Sequence, residues 1–396
     1  MPRGNSGRAQ WRATPRVMSD PSAPLFPTEL AGIAQAFPLL GRFRGGAPHG
    51  SGHINETFAI TFDQGGTPVR YILQRINERV FKDVPALMEN IRRVTDHAAA
   101  KVTLAGGGDT TRRALTLVPT WDGHSFHREA QGGCWRCYLF VERARTYDLI
   151  ETPHQAAEAA RAFGEFQRLL VDLPGGRLRE TIPGFHDTRR RFTAFQRAVE
   201  ADVHQRAATA RAEIAFAEAR EAMVDVLHDL QGRGEIPERI THNDTKLNNV
   251  MFDDATQEAV CVIDLDTVMP GLALHDFGDM VRSATNAAVE DERDLGKVAM
   301  RMPIYEALVS GYLASAGGFL TATESALLAF AGRLVTFEIG LRFLTDHLEG
   351  DVYSKIRRPG HNLDRARNQF ALVRSIERQE SAMQAIADRA ARALCV

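Results

Sequence analysis

Apolar and polar residues alternate through residues 54–62 and 69–76, and again through 116–121 and 134–142. A period of two marks a strand with one buried face. The stretches are rich in β-branched and aromatic residues, so four strands are expected early in the chain. Residues 28–40 and 84–98 follow helical spacing instead, and in the second of these Leu87, Ile91 and Val94 share one face. From about residue 156 the helical period dominates. Residues 156–170 show it up to the stops Pro174 and Gly175, and 190–230, 302–314, 322–348 and 363–394 continue it. The pattern predicts an α+β protein with a small β-rich lobe at 27–140 and a larger helical lobe at 141–396. Residues 1–26 are poor in apolar positions and rich in Pro, Ser and Arg, which predicts a disordered tail.

One polar stretch breaks the helical part, Arg239-Ile-Thr-His-Asn-Asp-Thr-Lys-Leu-Asn-Asn-Val-Met-Phe-Asp253, followed by an apolar run that ends at Asp264. It reads as strand, turn, strand, with the hairpin returning Asp264 beside Asn249. Asp244, Lys246 and Asn249 stand at the spacing Asp-x-Lys-x-x-Asn. That set suits phosphoryl transfer, which is mostly positioning and charge stabilisation. Asp244 can accept the proton of an attacking hydroxyl. Lys246 can offset charge on the moving group. Asn249 and Asp264 are hard ligands for Mg²⁺, and Asp266 is either a further ligand or a supporting carboxylate. Asp276-Phe277-Gly278 spells the metal-binding triplet of protein kinases, but it lies too far beyond the hairpin. Asp276 is expected to tie the catalytic loop by hydrogen bonds, and His242 to be structural.

The stretch resembles the aminoglycoside phosphotransferase/choline kinase-like family, which has a protein-kinase-like two-lobe fold. The resemblance also rests on Ser51-Gly-His-Ile-Asn-Glu-Thr-Phe58, Tyr71-Ile-Leu-Gln-Arg-Ile-Asn77, Ile263-Asp-Leu-Asp-Thr-Val-Met-Pro-Gly271 and His361-Asn-Leu-Asp-Arg-Ala-Arg-Asn-Gln-Phe370. These are similar to the members that phosphorylate N-acetylhexosamines (GlcNAc or GalNAc) at the anomeric hydroxyl. The resemblance implies ATP and Mg²⁺. Nucleotide contacts are expected from Gly50, Ser51, Gly52 and Asn55 in a glycine loop, and from Phe140 and Glu142 in the hinge between lobes. Gln74 stands where kinases of this type carry a strand lysine, and Glu89 where they carry its glutamate partner. Gln74 brings no charge, and alternation turns Arg75 to the other face, so the phosphate contact there departs from the pattern. His53, Arg342 and Tyr353 correspond to sugar-contacting positions. Local spacing alone pairs Arg342 with Glu338 and Asp346, one helical turn to either side. Arg365 and Asn368 have no assigned role beyond a helical cap. The alternatives are a kinase of another small alcohol (an aminoglycoside, choline, homoserine or another sugar) and a nucleotide-binding pseudokinase.

A net charge of −2 argues against a nucleic-acid binder. Lysine is scarce, which makes Lys246 conspicuous. Cys134 and Cys137 have C-x-x-C spacing, but on a strand they face opposite ways, so neither redox nor zinc chemistry is expected. No apolar run reaches transmembrane length and no signal peptide is visible, so a cytoplasmic monomer acting on a small sugar is the expectation.

Overall fold

The computed structural model describes residues 27–50, 52, 54–106 and 108–393. The expected tail at 1–26 lies outside the described residues, as do Ser51 and His53 of the glycine stretch.

The first lobe opens with α1 (Pro27–Ala34), β1 (Arg42–Pro48), β2 (Glu56–Gln64) and β3 (Thr67–Ile76). Then come α2 (Val84–Leu104), the short α3 (Thr110–Arg113), β4 (Leu117–Val118), β5 (His127–Arg128) and β6 (Cys134–Leu139). The sheet is antiparallel in the order β1-β2-β3-β6-β4, with β5 also on β6. The strand expected at 116–121 keeps only the two residues of β4, because Pro119 has no N–H to give the ladder.

Alternation gives the sheet two faces. Phe58, Ile60, Leu73, Trp135 and Cys137 pack against Leu30 and Ile33 of α1 and Phe37 beyond it. Ile76, Cys134 and Tyr138 face the other way, toward α2. Cys134 and Cys137 are therefore buried in different places as free thiols.

The second lobe contains β7 (Ala144–Arg145), α4 (Pro153–Leu170), α5 (Thr188–Ala201), α6 (Arg211–Glu218), α7 (Val226–Gly232) and β8 (Arg239–Thr241). After them run β9 (Val250–Asp253), β10 (Ala259–Val262), β11 (Met269–Gly271), α8 (Ala273–Thr285) and α9 (Met302–Ala316). The chain closes with α10 (Ala322–Ala326), α11 (Leu328–Leu348) and α12 (His361–Ala393). Thr152 and Gln155 form a reciprocal capping box that starts α4, with a proline in its first turn. The single helix expected at 322–348 is broken at Leu327 into α10 and α11. α4 and α9 lie close because Gly311 has no side chain; a Cβ there would come 2.1 Å from the Ala157 carbonyl oxygen.

Leu87, Ile91 and Val94 of α2 join Phe163 of α4, Phe277 of α8 and Phe337 of α11 in one apolar core. That core runs through both lobes. The architecture is the expected two-lobed α+β fold. No described helix is long and apolar enough to cross a membrane.

Candidate active site

The loop after β8 is held almost entirely by its own lobe. Asp276, in the first turn of α8, accepts the N–H of His242 at 2.9 Å and of Asn243 at 2.7 Å. It also accepts Gln167 Nε2 at 2.6 Å, and its carbonyl accepts Thr245 Oγ1 at 2.6 Å. Burial pushes the Asp276 carboxyl up, while His242 and the three donors oppose that rise. Phe277 is fully buried, and a Cβ on Gly278 would meet the Ala331 carbonyl oxygen at 2.5 Å. The Asp-Phe-Gly triplet is therefore a loop tie, a core ring and a close helix contact. His242 is fixed as well. Its Nδ1 accepts the Asp244 N–H at 3.3 Å, so its Nε2 donates to the Ile263 carbonyl at 2.9 Å. Asn243 takes φ 64°, a left-handed turn that asparagine tolerates.

Beyond that turn lie Asp244, Lys246 and Asn249. Lys246 Nζ sits 2.8 Å from Asp244 Oδ1, and Asn249 Nδ2 donates to Asp244 Oδ2 at 3.1 Å and to its carbonyl at 2.8 Å. Burial alone raises the Asp244 carboxyl, but Lys246 overrides it and holds the group down to about 2. Asp244 in turn raises the Lys246 ammonium. The Asn249 amide nitrogen is spent on Asp244, so its oxygen is what it can offer a cation.

β9 and β10 pair with Val262 opposite Val250, and the Ile263 N–H bonds the Asn249 carbonyl at 2.9 Å. This places Asp264 beside Asn249. Asp264 takes φ 60° and ψ 60°, a strained backbone for a residue with a side chain. The residue as a whole is exposed, yet its carboxyl is closely surrounded. That burial, with repulsion from Asp266 and Asp244, pushes it up to about 6. A cation would relieve the repulsion. Among the described residues no group of three or more His, Cys, Asp or Glu side chains could hold a metal alone. Mg²⁺ commonly takes only one or two protein oxygens beside phosphates and water, and Asn249 with Asp264 fits that habit.

The nucleotide side departs from expectation in two places, Glu89 and Gln74. Glu89 is exposed, one position out of phase with buried Met88 and Asn90, so it does not reach the sheet. Gln74 is already engaged, donating to Thr57 Oγ1 and accepting from Arg136 Nε, each at 2.9 Å. Glu142 spends its carboxylate on Arg70 and its carbonyl on Arg112, which leaves its N–H for a ligand. Arg112 also bonds the Arg143 carbonyl at 3.1 Å and Asp253 Oδ2 at 2.8 Å, stapling the hinge to β9. Phe140 lies under the Arg70 guanidinium, with the His49 ring 5.4 Å away. Gly50 takes φ +81° in the turn after β1, and Gly52 is exposed. Asn55 donates to Asp266 Oδ2 at 2.5 Å, and Asp266 is buried and paired with Arg136. Both Asp266 carboxylate oxygens are thus met by protein donors.

Arg342 pairs with neither of its helical neighbours. Glu338 is taken by His186 Nδ1 at 2.9 Å and Thr188 Oγ1 at 2.6 Å. Asp346 accepts the N–H groups of Tyr353 and Ser354 and the Asn362 amide. The Arg342 guanidinium lies instead over the Phe185 ring at 5.3 Å and the Tyr353 ring at 5.9 Å, and Tyr353 is 67% exposed. His186, next to Phe185, bonds the Asn243 carbonyl at 3.2 Å, so this wall stands beside the catalytic loop.

Sequence reasoning missed three arginines. Arg191 donates to the Phe185 carbonyl, and burial and the Arg342 charge lower its pKa. Arg282 pairs with Asp279 at 2.7 Å and helps hold down Asp244. Arg136 is the third. The 361–370 motif is a brace. Asn368 bonds Asn286 and the Val289 carbonyl, and His361 bonds Asp291. Arg365 reaches Asn362 and the Lys355 carbonyl.

A two-lobed fold with this loop between its lobes defines a phosphoryl-transfer scaffold. The model of the phosphotransferase enzyme family APH matches residues 45–308, more than half of the chain, and the protein belongs to that family. Solved structures agree in fold. Choline kinase from Cryptosporidium parvum Iowa II is 14% identical, with 91% of this chain and 97% of that one covered at a TM-score of 0.55. An aminoglycoside phosphotransferase from Alicyclobacillus acidocaldarius is 14% identical, covering 94% and 98% at 0.54. Spectinomycin phosphotransferase, solved with ADP and spectinomycin, is 12% identical, covering 91% and 99% at 0.52.

Proposed function

We propose that the protein transfers the γ-phosphoryl group of ATP to the anomeric hydroxyl of a free N-acetylhexosamine. The observation that carries the acceptor class is the wall of Arg342, Phe185 and Tyr353, whose nearby acids Glu338 and Asp346 are bonded elsewhere. A cationic acceptor such as choline or an aminoglycoside needs acidic partners, and two guanidinium groups repel it. A neutral sugar gains paired hydrogen bonds from a guanidinium and cover from an aromatic ring.

Asp244 takes the proton from the sugar hydroxyl. The anomeric oxygen bonds to the γ-phosphorus while the bond to the β,γ-bridging oxygen breaks, and ADP leaves. A carboxylate held near 2 is a weak base, and the anomeric hydroxyl suits it because the ring oxygen makes that group unusually acidic. Lys246 lies where its ammonium can follow the moving charge. Asn249 and Asp264 would hold Mg²⁺, whose charge offsets that of the phosphates.

The test is ADP release with ATP and Mg²⁺ over GlcNAc, GalNAc, glucose, galactose, choline and kanamycin, followed by phosphorus NMR. An N-acetylhexosamine should turn over fastest, with phosphorus coupled to the anomeric proton. A 6-phosphate, or turnover only with choline or kanamycin, overturns the reading.

A further inference from the structure

The lysine missing from β3 has a counterpart across the strand. Gln74 on β3 stands opposite Arg136 on β6. Arg136 is 1% exposed, and a buried guanidinium is costly unless an anion meets it. The carboxylate that meets it is Asp266, which belongs to the other lobe. From there an unbroken line of contacts runs back into the sheet. Arg136 Nε donates to Gln74 Oε1 at 2.9 Å, and Gln74 Nε2 donates to Thr57 Oγ1 on β2 at 2.9 Å. The second Asp266 oxygen accepts Asn55 Nδ2 at 2.5 Å, and Asn55 Oδ1 accepts the Asn77 N–H at 3.0 Å. The Asp266 carbonyl accepts Thr181 Oγ1 at 2.8 Å. Asp266 sits in the single 3₁₀ turn Leu265–Thr267 that Asp264 opens in its left-handed conformation.

We propose that Arg136 is a positioning residue that couples the nucleotide-side sheet to the Asp264 turn. It acts through Asp266 and does not touch the nucleotide. A cation on the sheet and a carboxylate two residues past Asp264 leave that turn one orientation. The inference rests on the reading that Asn249 and Asp264 face a metal–nucleotide complex.

The test measures Mn²⁺ binding in the presence of ADP by electron paramagnetic resonance, with no acceptor present. Wild-type protein that binds no Mn²⁺–ADP ends the functional reading itself, whatever the variants do. Given wild-type binding, Arg136→Gln should weaken Mn²⁺ by about 10- to 100-fold, the usual cost of removing a group that orients a metal ligand. Its acceptor KM should not change. The exchanged pair Gln74→Lys/Arg136→Gln returns a cation to the sheet and should recover most of the loss. A merely structural arginine predicts lower melting temperature with unchanged metal affinity, and that result in folded Arg136→Gln overturns the proposal. Should Arg136→Gln not fold, the paired apolar exchange Arg136→Met/Asp266→Leu removes both charges and cuts the line without leaving either one buried alone. Wild-type Mn²⁺ affinity in that folded variant would also overturn it.

Discussion

The loop at Asp244 and the proposed acceptor wall at Arg342 are built on opposite terms. In the loop, the backbone N–H groups of His242, Asn243 and Asp244 all have partners from Asp276 and His242. In the wall, Arg342 makes ring contacts and no ion pair among the described residues, and Tyr353 stands out in solvent. One region has spent its polar groups on itself and the other has kept them. A satisfied buried group fixes geometry before any ligand arrives, whereas an unsatisfied one is an offer to a ligand. The two therefore break differently, the loop through rate and stability and the wall through acceptor affinity.

The largest effect falls on the base. Asp244→Asn should lower turnover by about two to four orders of magnitude, the usual worth of a general base. Nucleotide affinity, read by calorimetry, should stay near wild type. Turnover above a tenth of wild type removes Asp244 from the chemistry.

Asp276 and Asp264 then separate holding the loop from serving a ligand. Asp276→Ala strands two buried N–H groups and the Gln167 amide, and at about 1–3 kcal/mol each the loss runs to several kcal/mol. Chemical denaturation should show it. Asp264→Ala should leave stability unchanged or raised, since it removes a crowded charge, while abolishing metal-dependent nucleotide binding. A stability loss at Asp264 equal to that at Asp276 would erase the distinction.

On the wall, Arg342→Ala should raise acceptor KM by about 10- to 100-fold, with kcat and ATP KM little changed, because uniform binding is what it removes. A fall in kcat alone would place Arg342 in the loop's class.

The smallest effect is a pH dependence where the two regions meet. Burial lowers the His186 pKa, but Glu338 more than reverses this, so the folded value lies above the ordinary 6.5. The imidazolium can donate to Glu338 and to the Asn243 carbonyl at once. A raised folded pKa means stability that is fully present below 6.5 and lost as pH rises through the folded value. His186→Asn should therefore cost most at pH 6 and less at pH 8.5 in matched denaturation curves. A constant difference would show that the histidine packs without its charge.

The loop was legible in sequence because its residues lie within a few positions of each other. Asp244, Lys246 and Asn249 share one turn, and the hairpin brings Asp264 to them by local pairing. The faces of Cys134 and Cys137 followed from alternation in the same way. The wall was not legible on such terms. Whether Arg342 is free depends on His186 and Asn362 capturing its neighbours, and nothing near Arg342 announces either. Arg136 was hidden by the β3–β6 register, which joins residues 62 positions apart. Glu89 failed by one helical step, since 100° of rotation separates a buried residue from an exposed one. Leu327 breaks a helix whose composition alone gives no reason to stop.

The core that α2 shares with α4, α8 and α11 bears on how the protein comes apart. Lobes with separate cores can melt separately, but Leu87, Ile91 and Val94 share one apolar cluster with Phe163 and Phe277 of the second lobe. Calorimetry should give one transition whose calorimetric and van't Hoff enthalpies agree. By the same token, residues 27–140 expressed alone would expose that helix face and the far side of the sheet, and would collect as aggregate before folding.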